Sequence, residues 1–104
     1  MQIDQTLRDG VPIVALKGRL DSRAAELCAA RLVPLAGDGR PALILDMAEV
    51  GYVGGAGLRV LIMLAARARA CGAALSIAAP PQPLIQALAL SGLGERLEGV
   101  LPAV

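Results

Sequence analysis

The sequence predicts a single α/β domain in which a mixed β-sheet of four to five strands packs with three or more helices. Three observations lead to this fold class. The chain has 104 residues, which suits one domain with a buried core over residues 1–104. Short apolar runs alternate with segments whose apolar residues recur at helical spacing. The resulting order, β-β-α-β-α-β-α, places helices between neighbouring strands of one sheet.

The composition argues against several classes of partner. Hydrophobic residues make up 56% of the chain, yet Tyr52 is its one aromatic residue. Stacking on nucleic-acid bases is therefore excluded in practice, and a net charge of +1 favours neither nucleic acid nor an anionic membrane. The apolar run at 58–66 is interrupted by Arg59 and is far shorter than the ~20 residues of a membrane span. Since no signal peptide is recognisable, we expect a cytoplasmic protein without direct membrane insertion.

The first two strands are predicted on either side of a tight turn. Between residues 3 and 8 apolar and polar side chains alternate, as in a half-buried edge strand. Asp9-Gly10 is a strong hairpin signal. A second strand is predicted from Pro12 to Lys17, and Gly18 is expected to close it.

The first helix is predicted to begin after Asp21 or Ser22, either of which can act as an N-cap. Glu26 lies near the positive end of that helix. Pro34 predicts that the helix ends early or kinks in its last turn. The apolar residues at near-helical spacing are Ala25, Leu27, Cys28, Leu32 and Leu35.

The remaining elements alternate between strands and helices. The run at 41–47 is typical of a buried central strand, and a glycine-rich loop follows it. Gly72 is the predicted C-cap of the next helix, residues 73–79 are a predicted strand, and the proline-led segment 80–92 is a predicted helix. A short strand or helix is possible within 95–101. One face of the helix after the glycine loop comprises Leu58, Leu61, Ile62, Ala65 and Ala68, with Arg59, Arg67 and Arg69 largely outside it.

Residues that catalysis or nucleotide binding would need are missing. There is no histidine, which removes the usual general base and the commonest metal ligand. Lys17 is the only lysine, so no phosphate-binding Gly-Lys-Ser/Thr motif exists. A dinucleotide fingerprint on Gly55 and Gly57 would need a third glycine at Val60. We therefore expect no enzyme activity, no catalytic residue, no cofactor and no metal site.

The two cysteines, Cys28 and Cys71, lie in apolar helical contexts. Without histidine partners they do not form a zinc site by spacing. In a chain without a signal peptide such cysteines are usually small, reduced core residues, and we expect no disulfide between them.

The glycines at 54, 55 and 57 can be explained simply as residues that permit tight turns against the sheet. A fuller interpretation comes from an ordered set of motifs that spans most of the chain. Residues 43–97 resemble the STAS domain of bacterial anti-sigma factor antagonists. The matching features are a strand ending in Asp46, the pair Tyr52-Val53, "AGL" at 56–58, a helix ending in "ARACG", "SGL" at 91–93 and, earlier, "GRLD" at 18–21.

The resemblance implies a role for the glycine loop. In that family the loop normally reads Asp-Ser-Ser/Thr/Ala-Gly-Leu, and a partner kinase phosphorylates its first serine. The aspartate falls on Gly54, the phosphorylated serine on Gly55 and the next residue on Ala56, whereas Gly57 and Leu58 match. Because Gly55 has no hydroxyl, phosphorylation at the usual position is excluded, and binding through this loop is expected to be constitutive or regulated elsewhere.

The function that the resemblance implies is a non-catalytic interaction module. Its partner would be an ATP-binding serine kinase that acts as an anti-sigma factor, and docking would free the sigma factor. The side chain of Arg59 would either contact the partner at the rim or lie on a solvated helix face. The predicted partner-binding residues are Arg19, Asp21, Ser22, Gly54, Gly55, Ala56, Gly57, Leu58 and Arg59.

Two alternatives remain open at this point. STAS-like subunits also attach to transporter ATPases in lipid export or form the end of anion transporters, and an uncharged loop suits such a permanent subunit. A small-ligand or nucleotide-binding sensory domain is the other alternative, because free backbone amides at a helix N-terminus attract anions.

Overall fold

A computed structural model describes residues 1–36, 42–82, 84–86 and 99–101. These residues form a five-stranded sheet in which the spatial order of the strands equals their order in the chain. The first strand is antiparallel to the second, and all the others are parallel to their neighbours. The elements are β1 (Gln2–Arg8), β2 (Val11–Leu20), α1 (Ser22–Leu32), β3 (Ala42–Val53), α2 (Gly55–Ala70), β4 (Ala74–Ala78) and β5 (Gly99–Leu101).

The predicted fold class is confirmed, and both main helices lie on one face of the sheet. Each helix links two adjacent parallel strands, α1 between β2 and β3 and α2 between β3 and β4. Right-handed crossovers of this kind place consecutive helices on the same face, antiparallel to the strands. The two helices are therefore parallel to each other, and both begin at the edge where β2 and β3 end. The largest buried side chains between the sheet and the helices are those of Leu16, Leu20, Leu32, Leu43, Leu45, Met47, Leu61, Leu64, Leu75, Ile77 and Leu84.

The hairpin between β1 and β2 follows the prediction. Asp9 and Gly10 have φ angles of 54° and 81°, and Arg8 pairs directly with Val11. Two successive positive φ angles match the twist of the flanking strands, as in a type I′ turn. β1 is an edge strand with little burial, and Leu7 is 65% exposed.

The strand β2 is longer than predicted, because Gly18 does not end it. Gly18 adopts φ = 116°, a value that favours glycine, and the register with β3 shifts between Gly18 and Arg19. The glycine thus accommodates an irregularity inside the strand, which continues to Leu20.

The strand β3 is also longer than the predicted segment 41–47. Val50 is buried beyond that segment, and the pairing with β2 continues until Leu20 lies opposite Val53. Tyr52 and Val53 therefore belong to the strand, and Gly54 alone separates β3 from α2.

The helix α1 begins and ends as the sequence predicts. Asp21 is its N-cap, and the α-helix gives way at Leu32 to a 3-10 helix, Val33–Leu35, that contains Pro34. The Nε of Arg67 in α2 donates a hydrogen bond of 2.8 Å to the carbonyl of Val33. This bond ties the end of α1 to the neighbouring helix.

One of the apolar residues that the helical spacing of α1 had grouped together does not face the core. Leu27 is 42% exposed, although its spacing placed it with the apolar residues of the helix. Ala24, Ala25, Cys28 and Leu32 are the buried ones. At about 100° per residue, the four buried residues share one arc of the helix surface, and position 27 lies outside that arc.

The buried face of α2 agrees in part with the prediction. Leu61, Ala65 and Ala68 are buried, whereas Leu58 and Ile62 are half-buried. The three arginines of the helix are exposed, as predicted. Gly57 and Leu64 complete the buried set.

Gly72 ends α2, as predicted, in a Schellman motif. Its φ is 75°. The N–H of Ala73 donates to the carbonyl of Ala68 at 2.8 Å, and the N–H of Gly72 donates to that of Arg69 at 3.1 Å, the two bonds that define the motif. Cys71 lies at this exposed end, so the expectation of two core cysteines is wrong for Cys71 and correct for the buried Cys28; both thiols are free.

The last predicted elements are described only in part. Residues 82 and 84–86 are helical, and the N–H groups of Leu84 and Ile85 donate to the carbonyl of Pro81. The other residues of the predicted helix 80–92 beyond residue 86, with its predicted stop at Gly92, lie outside the described residues. The short final element is a strand, β5.

The first turn of α2 lies directly against the end of β2. A Cβ placed on Gly57 would lie 2.6 Å from the Cγ of Leu20 and 2.8 Å from its carbonyl oxygen. Leu20 is itself 1% exposed, so its side chain cannot move towards solvent. A side chain at position 57 would therefore push the helix away from the sheet.

We predict that Gly57→Ala destabilises the fold by about 1–3 kcal/mol, the usual cost of overpacking. The free energy of unfolding measured by urea denaturation tests this. Gly55→Ala is the matched control, because a Cβ at position 55 would meet no atom within 4 Å. Equal effects of the two substitutions would contradict the packing argument.

Candidate functional site

The structure brings the predicted partner-binding residues together at one edge of the domain. We call this set, Arg19, Asp21, Ser22 and Gly54–Arg59, the helix-start edge. It lies where β2 and β3 end and where α1 and α2 begin. The N–H of Gly54 donates a 3.0 Å hydrogen bond to the carbonyl of Leu20, which joins the two chain segments that form the edge.

The predicted glycine loop is in fact almost entirely helical. Residues 55–59 form the first turns of α2, and Gly54 alone lies outside the helix, as its extended N-cap. The carbonyl of Gly54 accepts the N–H of Leu58 at 3.0 Å. Because a glycine cap offers no side-chain acceptor, the first N–H groups of α2 donate no hydrogen bond to a capping side chain.

The glycines at 55 and 57 have opposite surroundings. Gly57 is buried against Leu20, whereas Gly55 is exposed and faces open space. Packing therefore requires a glycine at position 57 but does not require one at position 55. The fold would accommodate a larger side chain at position 55.

The ring of Tyr52 covers Gly54. A Cβ on Gly54 would lie 3.1 Å from the Oη of Tyr52 and 3.3 Å from its Cε1. The guanidinium carbon of Arg19 lies 4.3 Å from the centroid of the same ring, a cation–π distance. Arg19 and Tyr52 are direct partners in the β2–β3 register.

Tyr52 is a site residue that the sequence analysis did not include. It is 42% exposed, so its ring adds an aromatic surface to the helix-start edge. Two signals were available: Tyr52 is the sole aromatic residue of the chain, and it belongs to the pair Tyr52-Val53 among the motifs that match the family. Its pairing with Arg19 depends on the shifted register after Gly18, which the sequence does not reveal.

Asp21 has a structural role within the edge. Its Oδ1 accepts the N–H of Ala24 at 3.0 Å. This hydrogen bond, together with the nearby charge of Arg19, holds the pKa of the Asp21 carboxyl below its usual value. Ser22 is the first residue of α1 and is exposed.

A groove runs from the edge between α1 and α2. Its volume is about 380 Å³. Glu26 lines the α1 wall and Arg59 the α2 wall. Within the described part of the chain, ion pairs form only at Lys17, with Asp4 and Glu49. The residues that line the groove are Ser22, Ala25, Glu26, Ala29, Ala56, Arg59, Val60 and Met63.

The described residues contain no cluster of three or more acidic, cysteine or histidine side chains that could hold a metal ion. Across the same residues, no helix has the length and apolar character needed to cross a membrane.

Comparison with known families identifies the domain. A family model described as "Mlab, STAS domain" matches residues 3–102, nearly the whole chain. The chain belongs to the STAS domain family. This confirms the resemblance found in the motifs. The matched range includes both segments of the helix-start edge.

One protein relative of this STAS domain is named "Putative anti-sigma factor antagonist BtrV" and comes from Bordetella bronchiseptica. The two sequences are 32% identical over 69 residues, which is 66% of this chain and 60% of the relative. The match thus covers less than two thirds of the relative's length.

Solved structures show the same fold. An anti-sigma factor antagonist from Mycobacterium paratuberculosis superposes with a TM-score of 0.82 at 21% identity, over 95% of this chain and 84% of that one. The STAS domain of a SulP transporter from Vibrio cholerae superposes with a TM-score of 0.71 at 22% identity, over 94% and 77%. At such identities the superpositions establish the STAS fold.

We predict that the fold loses stability in acid through Asp21. The pKa of its carboxyl is lower in the folded than in the unfolded chain, so the stabilisation is present above about pH 4 and is lost as the pH falls below that. Urea midpoints at neutral pH and near pH 3 measure this loss. Asp21→Asn keeps a capping oxygen without a titrating group, so its midpoint should fall less. An equal fall in both proteins would assign the acid sensitivity to other groups.

We predict that Arg19→Ala changes the environment of the Tyr52 ring. Because Tyr52 is the only aromatic residue, the intrinsic ultraviolet absorption and fluorescence of the protein report on that ring alone. Loss of the cation should shift these signals and cost about 0.5–1 kcal/mol of stability. Arg31→Ala, at the far end of α1, is the control. Unchanged spectra in Arg19→Ala would contradict the stacked arrangement.

Proposed function

We propose that this STAS domain is a non-catalytic protein-interaction module of the anti-sigma factor antagonist type. It binds an ATP-binding serine kinase that acts as an anti-sigma factor, and binding frees a sigma factor for transcription in the cytoplasm. The observation that carries the proposal is the start of α2, which is exposed at Gly55 and corresponds to the loop that a partner kinase phosphorylates in the antagonists whose motifs this chain resembles. The similarity to the Bordetella protein named as an antagonist supports the same choice.

The contact surface in this proposal is the helix-start edge. Its small residues at 54–56 allow a partner backbone to approach the start of α2 closely. Arg19 and Arg59, both exposed, offer charge-assisted hydrogen bonds at the rim. The half-exposed ring of Tyr52 supplies aromatic contact area beside them.

The proposed interaction is not controlled by phosphorylation at position 55. Gly55 has no hydroxyl group, although its surroundings are open. A phosphoserine would add a charge of about −1.5 to −2 at this point. Without it the segment Gly54–Arg59, which contains no hydroxyl group, has one covalent state, and binding through it is constitutive or controlled by another route.

A second candidate function is that of a STAS subunit or domain of a transporter. The superposition on the STAS domain of a SulP transporter favours it. The partner would then be a transporter ATPase or the transporter itself. A permanent subunit would also need no phosphorylated residue at position 55.

We predict that Gly55→Glu abolishes partner binding and leaves the fold intact. The new side chain would project from the helix-start edge into open space and would place a charged group in the contact. The experiment captures partners of the purified, tagged chain from extract of its native cells and identifies them by mass spectrometry. Gly51→Glu is the matched control, since position 51 is also open but lies outside the edge.

The outcomes separate the two candidates. A serine kinase of the anti-sigma type that is retained by the wild type and by Gly51→Glu, and lost with Gly55→Glu, supports the antagonist function. A transporter component that is retained by the wild type and by Gly51→Glu, and lost with Gly55→Glu, supports the second candidate. If all three proteins retain the same partner, the helix-start edge is not the contact and the proposal fails.

A further inference from the structure

The groove between α1 and α2 has two matching walls. On α1 the lining residues recur at positions i, i+3, i+4 and i+7 from Ser22, and on α2 they recur in the same way from Ala56. Each wall is thus one straight stripe on a helix. Five of the eight stripe residues are apolar, and the polar groups of the lining side chains are those of Ser22, Glu26 and Arg59.

The charges of the groove lie at the same height on opposite walls. Glu26 is the fifth residue of α1, and Arg59 is the fifth residue of α2. Because the two helices are parallel and start at the same edge, these side chains lie about equally far along the groove, on the order of 6 Å from the helix starts. Both are exposed, and they do not form an ion pair with each other or with another described residue.

This arrangement is self-complementary. If a second copy faces the first, with a two-fold axis parallel to the helices, α1 of one copy lies opposite α2 of the other. Glu26 of each protomer then meets Arg59 of its partner at the same height. In a two-fold interface every contact occurs twice, once in each direction. One acidic and one basic residue per protomer therefore form two ion pairs across the interface.

We propose that the groove between α1 and α2 is a homodimer interface, in which two copies pack face to face and exchange Glu26–Arg59 ion pairs. The apolar part of the contact centres on Met63. This side chain lies on the groove wall and is 44% exposed in the single chain. In the dimer it packs on the small residues Ala25, Ala29 and Val60 of the facing copy.

The dimer would also regulate the proposed function, and this step rests on that function. Ser22, Ala56 and Arg59 belong both to the groove and to the helix-start edge. A dimer covers them, so a protomer can bind either its own copy or a protein partner. The protein concentration then sets how much of the helix-start edge is available, a control that needs no hydroxyl at position 55.

The test measures the mass of the purified full chain by sedimentation equilibrium over a range of concentrations. The wild type should rise from 10.6 kDa towards twice that mass, with a dissociation constant on the order of 10–100 μM for a small interface. Glu26→Arg or Arg59→Glu alone should raise this constant at least about tenfold, since each places two like-charge pairs in the contact.

The double substitution E26R/R59E decides the arrangement. It restores opposite charges across the two-fold axis, so the dissociation constant should return to within about threefold of the wild-type value. Arg69→Glu makes the same charge change outside the groove and should have no effect. Met63→Glu should abolish the dimer without loss of folding, as judged by circular dichroism. A chain that stays at 10.6 kDa up to about 1 mM, or a double variant that remains monomeric, overturns the proposal.

These measurements use the isolated chain, so they are independent of the partner capture with Gly55→Glu. A dimer without a captured kinase would support this interface and contradict the proposed function. A captured kinase together with a strictly monomeric chain would support the proposed function and contradict the homodimer interface.

Discussion

The contact between Gly57 and Leu20 fixes the geometry of the candidate site. Leu20 ends β2 and Gly57 lies in the first turn of α2, and their closeness leaves no room for a side chain at position 57. The hydrogen bond from Gly54 to the carbonyl of Leu20 supports the same contact. The helix-start edge has two segments, one beside Leu20 and one that contains Gly57. The distance between these two segments therefore depends on how closely α2 approaches the sheet.

The sequence predicted the elements of the fold better than their ends. Hydrophobic periodicity and the turn residues Asp9-Gly10 located the hairpin, and Pro34 and Gly72 located two helix ends. The end of β2 was placed too early because Gly18 looked like a strand end, and the end of β3 was placed too early because the predicted apolar run stopped at Met47. In the sheet it occupies an irregular position within the strand, and this role depends on the pairing with β3.

At the site, too, the features that depend on residues close in sequence were predicted, whereas those that depend on tertiary packing were not. The motifs identified the stretch around Gly54 and its distant neighbour Arg19, because they occur in a fixed order along the chain. The helical conformation of residues 55–57 was not predicted, since three glycines in four positions favour a loop when local propensity alone is considered. Burial of Gly57 against the sheet overrides that propensity. The position of Tyr52 over Gly54 depends on strand register and could not be inferred from spacing.

The open surroundings of Gly55 have a consequence for how such a domain can change over evolutionary time. A Cβ at position 55 would meet no atom within 4 Å, so the choice of residue at this position has little influence on folding. Natural selection can therefore act on this position for signalling alone. A lineage could gain or lose a phosphorylation switch here by a single substitution while the architecture of the domain stays the same.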